Sequence, residues 1–134
     1  MVKAKTYYTD DSFMAKLSGH AGFAPKGKDI VCAGVSALVM ALADTVENAI
    51  KLSDIGALEI KAADGEFYIF VGGISSAELY NDLNAYFHMF RLGLEKIQQE
   101  YPDYIKVSLF VQSLEDEYND TSEQTMTKER KEAK

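Results

Sequence analysis

The residues best suited to chemistry in this sequence are one thiol and one imidazole. Cys32 is the only cysteine of the 134 residues, and His20, one of two histidines, lies twelve positions before it. A thiol attacks as its thiolate, which a nearby imidazole or the start of a helix stabilises. This pair therefore indicates nucleophilic catalysis. A buried, inert cysteine that packs as a small hydrophobic residue is the alternative.

Cys32 lies where a long helix is predicted to begin. The apolar residues around it are spaced by three and four positions: Val31, Val35, Leu38, Val39, Leu42, Val46 and Ile50. This period is typical of a helix with one face in a core, and we predict it from about Ile30 to Leu52, ending near Gly56. Asp29 is the expected N-cap, because its carboxylate can accept bonds from the free amides of the first turn. The helix dipole would then favour a thiolate at Cys32.

The loop between the two reactive residues, residues 22–28, is rich in glycine and lysine. Glycines near both of its ends predict that it opens and closes over a bound ligand. Within it, Phe23 is a candidate contact for an apolar substrate. The loop lacks the Gly-Lys-Ser/Thr ending that would hold a nucleotide and magnesium, so a phosphate-binding loop is not favoured.

The composition argues against nucleic-acid binding and against a bound metal. The length suits one domain, and 47% hydrophobic residues indicate a folded chain. A net charge of −7 argues against a phosphate-binding surface, so no nucleic-acid partner is expected. One cysteine and two histidines on separate elements offer no ligand pair at metal-site spacing. We therefore expect neither a metal nor another cofactor.

The sequence also bears on location. Its first five residues lack the apolar core and cleavage site of a secretory signal, and a single free thiol fits a reducing compartment. No apolar run is long enough, or free enough of polar residues, for us to expect a membrane span. A cytoplasmic protein without a membrane partner is the expectation.

Alternating and helical patterns predict the remaining elements. Strands are expected at residues 2–8 and 13–18, joined by a turn, and again at 58–62 and 67–71 around Asp64-Gly65. Ser75 and Glu78 predict a capping box that opens a second helix, which Pro102 ends. A last strand is expected at 105–111.

This β-β-α-β-β-α-β order predicts an α+β fold. We expect a two-layer sandwich, in which two long helices cover a mostly antiparallel five-stranded sheet. The domain would span residues 1–114. Residues 115–134 are almost entirely charged or small and polar, which predicts a disordered tail.

One stretch resembles a known family. The run GHAGFAPKGKDIVCAGVSALVMAL, residues 19–42, resembles the signature of the bacterial ribosomal-processing cysteine protease family, Prp. The Gly-His-Ala and Asp-Ile-Val-Cys-Ala blocks, followed by Ser-Ala, have the family's spacing, and the order of elements also matches.

The resemblance implies a cysteine endopeptidase that removes an N-terminal extension from a large-subunit ribosomal protein, cutting after an aromatic residue in an apolar motif. Phage-encoded relatives are thought to process capsid or scaffold proteins, which is the alternative protein substrate. The resemblance also implies a homodimer. An alternative from another class is a non-catalytic peptide-binding module of the same fold, with an inert cysteine.

Carried onto this chain, the resemblance makes Cys32 the nucleophile and His20 the general base and later the acid. Asp29 matches a position linked to catalysis or substrate binding, although a helix cap explains it equally well. Gly19 and Ser36 match further motif positions. Gly19 also suits a positive φ or a close backbone approach. Ser36 suits either close packing or a hydrogen bond near the thiol.

Gly34 stands where many relatives carry alanine. Glycine weakens a helical turn, so we expect either a looser site or a closer approach of a substrate backbone there. No third member of a catalytic triad is evident from the sequence.

Overall fold

The computed structural model describes residues 1–50 and 56–111. Its elements follow the predicted order: β1 Val2–Tyr8, β2 Phe13–Ser18, α1 Ile30–Ile50, β3 Ala57–Ala63, β4 Glu66–Gly72, α2 Ala77–Glu100 and β5 Ile105–Val111. The α+β prediction is confirmed. Residues 51 and 52, the predicted end of the first helix, and the predicted tail at 115–134 lie outside the described residues.

The five strands form one sheet in the order β3-β4-β2-β1-β5. Three of its four pairings are antiparallel, and only β5 runs parallel to its neighbour, β1. The prediction of a mostly antiparallel sheet is therefore confirmed. In the β2–β4 pairing, Ser18 lies opposite Glu66. This register places the segment that follows β2 beside the turn between β3 and β4.

The helices and one face of the sheet share a hydrophobic core. Along β1, Val2, Ala4 and Thr6 are buried, whereas the intervening Lys3 is exposed. The helices contribute one buried residue per turn on average: Val31, Val35, Leu42, Val46 and Ile50 from α1, and Leu79, Leu83, Phe87, Phe90 and Leu94 from α2. Removing this apolar surface from water is the main stabilising term of such a core.

Two glycines lie where α1 and α2 meet. A Cβ on Gly34 would lie 3.3 Å from Ile97 Cδ1, and one on Gly93 would lie 2.9 Å from Leu38 Cδ1. Ile97 thus packs against the surface that Gly34 leaves open. The expectation that a substrate backbone approaches at Gly34 is wrong, because this glycine faces the neighbouring helix.

The start of α2 differs from the prediction. Its N-cap is Ser76, whose Oγ accepts a hydrogen bond from Leu79 N at 3.1 Å, so the predicted capping box of Ser75 with Glu78 is wrong. Buried Ile74 donates its N–H to Asp11 O at 3.0 Å. This bond to the β1–β2 turn fixes where the chain enters α2, and the helix then begins one residue later than predicted.

Among residues 1–50 and 56–111, one helix, α1, is long and apolar enough to cross a membrane by length and composition alone. The expectation that no apolar run meets this criterion is therefore wrong. Only 22% of its apolar window is buried in this fold, but a single helix of this kind is weak evidence for a span. In this fold α1 packs its buried residues into the shared core, as their spacing predicts.

Substituting the two interhelical glycines tests this packing. Gly34→Ala is expected to raise the free energy of unfolding by up to about 1 kcal/mol, because alanine favours a helix. The methyl group that it meets belongs to a flexible side chain and need move only slightly. Gly93→Ala should raise the free energy of unfolding by less, since its Cβ would approach two methyl groups of Leu38 at 2.9 and 3.0 Å. Urea unfolding measures both changes, and an equal gain would contradict the difference in packing.

Candidate active site

Cys32 lies in the first turn of α1, and Asp29 caps that turn. Asp29 Oδ1 accepts a hydrogen bond from Cys32 N at 2.9 Å, and Asp29 O accepts one from Ala33 N at 3.0 Å. The predicted cap is confirmed. Because Asp29 takes up the backbone amide of Cys32, it fixes the position of the cysteine relative to the start of the helix.

The second carboxylate oxygen of Asp29 holds the loop that precedes α1. Oδ2 accepts a hydrogen bond from Phe23 N at 3.0 Å, so one carboxylate joins the helix start to the chain six residues earlier. The bond from Cys32 N lowers the pKa of Asp29, outweighing burial, and the backbone N–H groups of Phe23 and Ala24 lower it further. The backbone N–H groups that donate to Asp29 thus favour its ionised form.

The sulfur of Cys32 is half-buried and receives a backbone donor. Ala21 N lies 3.4 Å from Cys32 Sγ in hydrogen-bond geometry. A backbone N–H directed at sulfur stabilises negative charge on it. The segment around His20 therefore contacts the sulfur of Cys32 through the residue that follows the histidine.

The imidazole of His20 lies against the turn between β3 and β4. His20 Nε2 is 3.9 Å from Asp64 Oδ1, and both side chains are exposed. Within the described residues, no hydrogen bond joins the imidazole of His20 to the thiol of Cys32. The hydrogen bond that reaches the sulfur comes instead from the backbone N–H of Ala21. The predicted partners thus lie in one region without being bonded in this conformation.

Gly19 holds the segment before His20 close to two other chain segments. It has a φ of +94°, and a Cβ there would overlap the backbone oxygen of Met1. Its N–H donates to Gly65 O at 2.8 Å. The prediction that this position needs a positive φ or a close backbone approach is confirmed on both counts.

Cys32, His20, Gly19 and Ser36 line one cavity of about 790 Å³. It lies between α1 and the β3–β4 hairpin, and its walls include the apolar side chains of Leu17, Val35, Val39, Met40 and Phe67. A cavity of this size and character accommodates a ligand with apolar groups. Ser36 is exposed on α1, one helical turn beyond Cys32.

Phe23 is placed differently from the other candidate residues. Its ring packs edge-on against Tyr101 and Tyr104, with centroids 5.3 and 5.2 Å away. It is not among the residues that line the cavity. In this conformation Phe23 attaches the loop to the end of α2, and its predicted contact with substrate stays a prediction.

The sequence does not indicate that Ala21, Asp64 and Gly65 belong to this site. Asp64-Gly65 predicts a turn, but the contact of this turn with residues 19–20 depends on the pairing of β2 with β4. Across residues 1–50 and 56–111, no group of three or more His, Cys, Asp or Glu side chains is arranged to hold a metal ion.

The lowered pKa of Asp29 predicts how its contribution to stability varies with pH. The carboxylate stabilises the fold above its ordinary pKa of 3.8 and loses this effect as pH falls through the lower pKa of the folded state. Asp29→Asn keeps one acceptor oxygen and should lower the free energy of unfolding at neutral pH. The difference from the wild type should shrink below pH 3.8.

Urea unfolding of both proteins between neutral and acidic pH measures this difference. Asp82→Asn, at an exposed position on α2, is the control for a lost charge. A difference between wild type and Asp29→Asn that stayed constant into strong acid would contradict the assigned role of the carboxylate.

The family described as cysteine protease Prp matches residues 1–106. The comparison with curated proteins finds no match.

Among solved structures, the essential ribosomal processing protease Prp from S. aureus, with a covalently linked product peptide, has a TM-score of 0.64 and 23% identity. That alignment covers 81% of this chain and 99% of the other. SMU.848 from Streptococcus mutans has a TM-score of 0.60 and 26% identity, over 84% and 96% of the two chains. The S. aureus protease with a substrate peptide has a TM-score of 0.57 and 22% identity, over 81% and 99%.

The structural similarities confirm the fold, and the family match spans both blocks of the motif together with the hairpin, helices and sheet around them. The chain belongs to the Prp family of cysteine proteases.

Proposed function

We propose that this protein is an endopeptidase in which Cys32 is the nucleophile and His20 the general base. The observation that carries the proposal is the placement of Cys32 at the start of α1. There its sulfur accepts a bond from Ala21 N–H, and the residue lines a large cavity that His20 also lines. A thiol that was merely structural would need neither the backbone donor nor the cavity.

In the proposed reaction, Cys32 Sγ bonds to the carbonyl carbon of the scissile peptide, and its proton passes to His20. His20 then gives that proton to the leaving amine, which leaves a thioester on Cys32. Water that loses a proton to His20 hydrolyses the thioester, releasing the carboxylate product and the free thiol. Each proton taken from a nucleophile is thus returned to a leaving group.

This chemistry requires the imidazole to approach the sulfur more closely than it does in the present conformation. His20 is exposed, and it is followed after one residue by Gly22, which has a φ of +70° and no neighbour within 4 Å of a built Cβ. Catalytic hydrogen bonds are often long or unformed without substrate. A substrate that enters the cavity would bring the two groups together as the loop rearranges.

The supporting residues take separate roles in this proposal. Asp29 holds the loop next to the start of the helix, because its two carboxylate oxygens accept hydrogen bonds from both. Ser36 faces the cavity and would contact the substrate backbone. Gly19 keeps the histidine segment against its neighbours, and Phe23 would move with the loop when substrate binds.

The proposed substrate is the N-terminal extension of a large-subunit ribosomal protein. Family membership supports this choice, as do the similar structures from S. aureus, which are of a ribosomal processing protease with substrate and product peptides. The apolar cavity walls suit a short apolar cleavage motif. Comparing cleavage of a ribosomal-protein extension with that of a capsid or scaffold peptide separates the two substrate classes that the resemblance raises.

We place the protein in the cytoplasm, where ribosomal proteins are made, and expect it to act as a homodimer. Long apolar side chains remain exposed on both helices, with Met40 at 61%, Met89 at 65% and Leu92 at 43%. Exposed apolar groups of this kind support an interaction surface on the helical layer.

Alkylation of the thiol tests the proposed pair directly. A chloromethyl ketone on an apolar peptide that ends in an aromatic residue occupies the cavity as a substrate would. It should label Cys32 at neutral pH faster than it labels a model thiol, and His20→Ala should slow the labelling at least about tenfold, since a general base is removed. His88→Ala is the matched control, because His88 is an exposed histidine on α2 that contacts Arg91. Labelling rates are read by mass spectrometry.

Cleavage of an apolar peptide with an aromatic residue completes the test. Wild type should cleave it, whereas Cys32→Ser and His20→Ala should not do so at a measurable rate. Equal labelling rates for wild type and His20→Ala would remove the imidazole from the mechanism. Binding of the peptide by all three proteins, without cleavage by any of them, would favour a non-catalytic module.

A further inference from the structure

The β3–β4 turn is attached to the histidine segment through the backbone. Gly65 O accepts the N–H of Gly19 at 2.8 Å, directly before the histidine. This contact extends the pairing of β2 with β4, in which Ser18 lies opposite Glu66. A hairpin more than forty residues away in sequence therefore fixes the backbone from which His20 projects.

Gly65 also makes room for the imidazole ring. A Cβ at this position would lie 2.7 Å from His20 Nε2 and 3.3 Å from both Cδ2 and Cε1. Any side chain at residue 65 would displace the ring or the turn. The imidazole thus packs against the backbone of residue 65, and it can lie this close only because glycine has no side chain.

The neighbouring residue of the turn supplies a charge. Asp64 Oδ1 is 3.9 Å from His20 Nε2, and Asp64 lines the same cavity as Cys32. A carboxylate beside one ring nitrogen favours the proton on that nitrogen. With the proton on Nε2, the lone pair is left on Nδ1, and Nδ1 is then the nitrogen that can accept the proton of a thiol.

We infer that the Asp64-Gly65 turn supports the imidazole of His20, with Asp64 as a positioning residue that holds the proton on Nε2 so that Nδ1 serves as the base. The inference rests on the proposed function, because it assigns a role to the histidine of that mechanism. It supplies the third group that the sequence does not reveal, on a separate hairpin and 44 positions after His20.

The tautomer of His20 provides the most direct test. Long-range proton–nitrogen NMR correlations of the full-length protein, above the pH at which its histidines become neutral, should show His20 mainly with its proton on Nε2. In Asp64→Asn the population with the proton on Nδ1 should rise. The spectrum of His88, whose Nδ1 contacts Arg91 Nη2 at 3.0 Å, should not change.

The same variants should alter the reactivity of the thiol. Asp64→Asn is expected to slow alkylation of Cys32 and peptide cleavage by about one-and-a-half- to fivefold, the range of an exposed charge pair. The loss should appear in kcat rather than KM, and Asp64→Glu should restore part of it. Asp82→Asn, which removes the same charge on α2, should leave both rates unchanged. Gly65→Ala should slow both rates by displacing the ring.

Each failure has a distinct signature. If His20→Ala slows alkylation but Asp64→Asn changes neither the tautomer nor the rate, the role of Asp64 is refuted while the proposed function stands. An effect of Asp64→Asn confined to KM would also refute it, because a substrate contact would then explain the change. If His20→Ala leaves alkylation unchanged, the proposed function fails, and this inference fails with it.

Discussion

The site depends on the two hydrogen bonds that the carboxylate of Asp29 accepts. The carboxylate accepts one hydrogen bond from the helix that carries Cys32 and another from the loop that follows His20. Without it, the hydrogen bond from Ala21 N to Cys32 Sγ would be left to join the start of α1 to the chain after His20. The alternatives of helix cap and catalytic support are therefore compatible, since the cap itself positions Cys32, the proposed nucleophile, relative to the loop.

The sheet supplies the second constraint. Because β2 and β4 are neighbours, the end of the first hairpin meets the turn of the second, and the histidine lies where they meet. The helix layer supplies the third, since the start of α1 lines the same cavity as the end of β2, and α1 packs against α2 at Gly34 and Leu38. The cavity lies where these three parts converge.

Local signals account for what the sequence predicted well. The apolar spacing after Val31 and the short carboxylate before it define α1 and its cap, because both depend on residues within a few positions of each other. The Asp64-Gly65 turn was predicted for the same reason. At α2, two adjacent serines could each cap the helix, and the choice depended on a bond from Ile74 to a distant turn.

Contacts between distant segments account for what the sequence could not reveal. Nothing near Gly34 indicates that Ile97 of the other helix packs against it. Likewise, the proximity of Asp64 to His20 follows from strand order, which alternating patterns do not specify. The place of Phe23 in the predicted loop suggested a substrate contact, whereas its two tyrosine neighbours lie just beyond the end of α2.

The cap at Asp29 has a further consequence for the charge that develops on oxygen during acyl transfer. Serine hydrolases commonly meet that charge with the amide of the nucleophile itself, but here the amide of Cys32 is already bonded to a carboxylate. In the proposed mechanism the oxyanion would then be met by another donor, and the N–H of Ala21 is already directed at the sulfur. Base and oxyanion donor would thus be consecutive residues, and the imidazole would have to reach the sulfur while the N–H of Ala21, which already reaches it, stays in place.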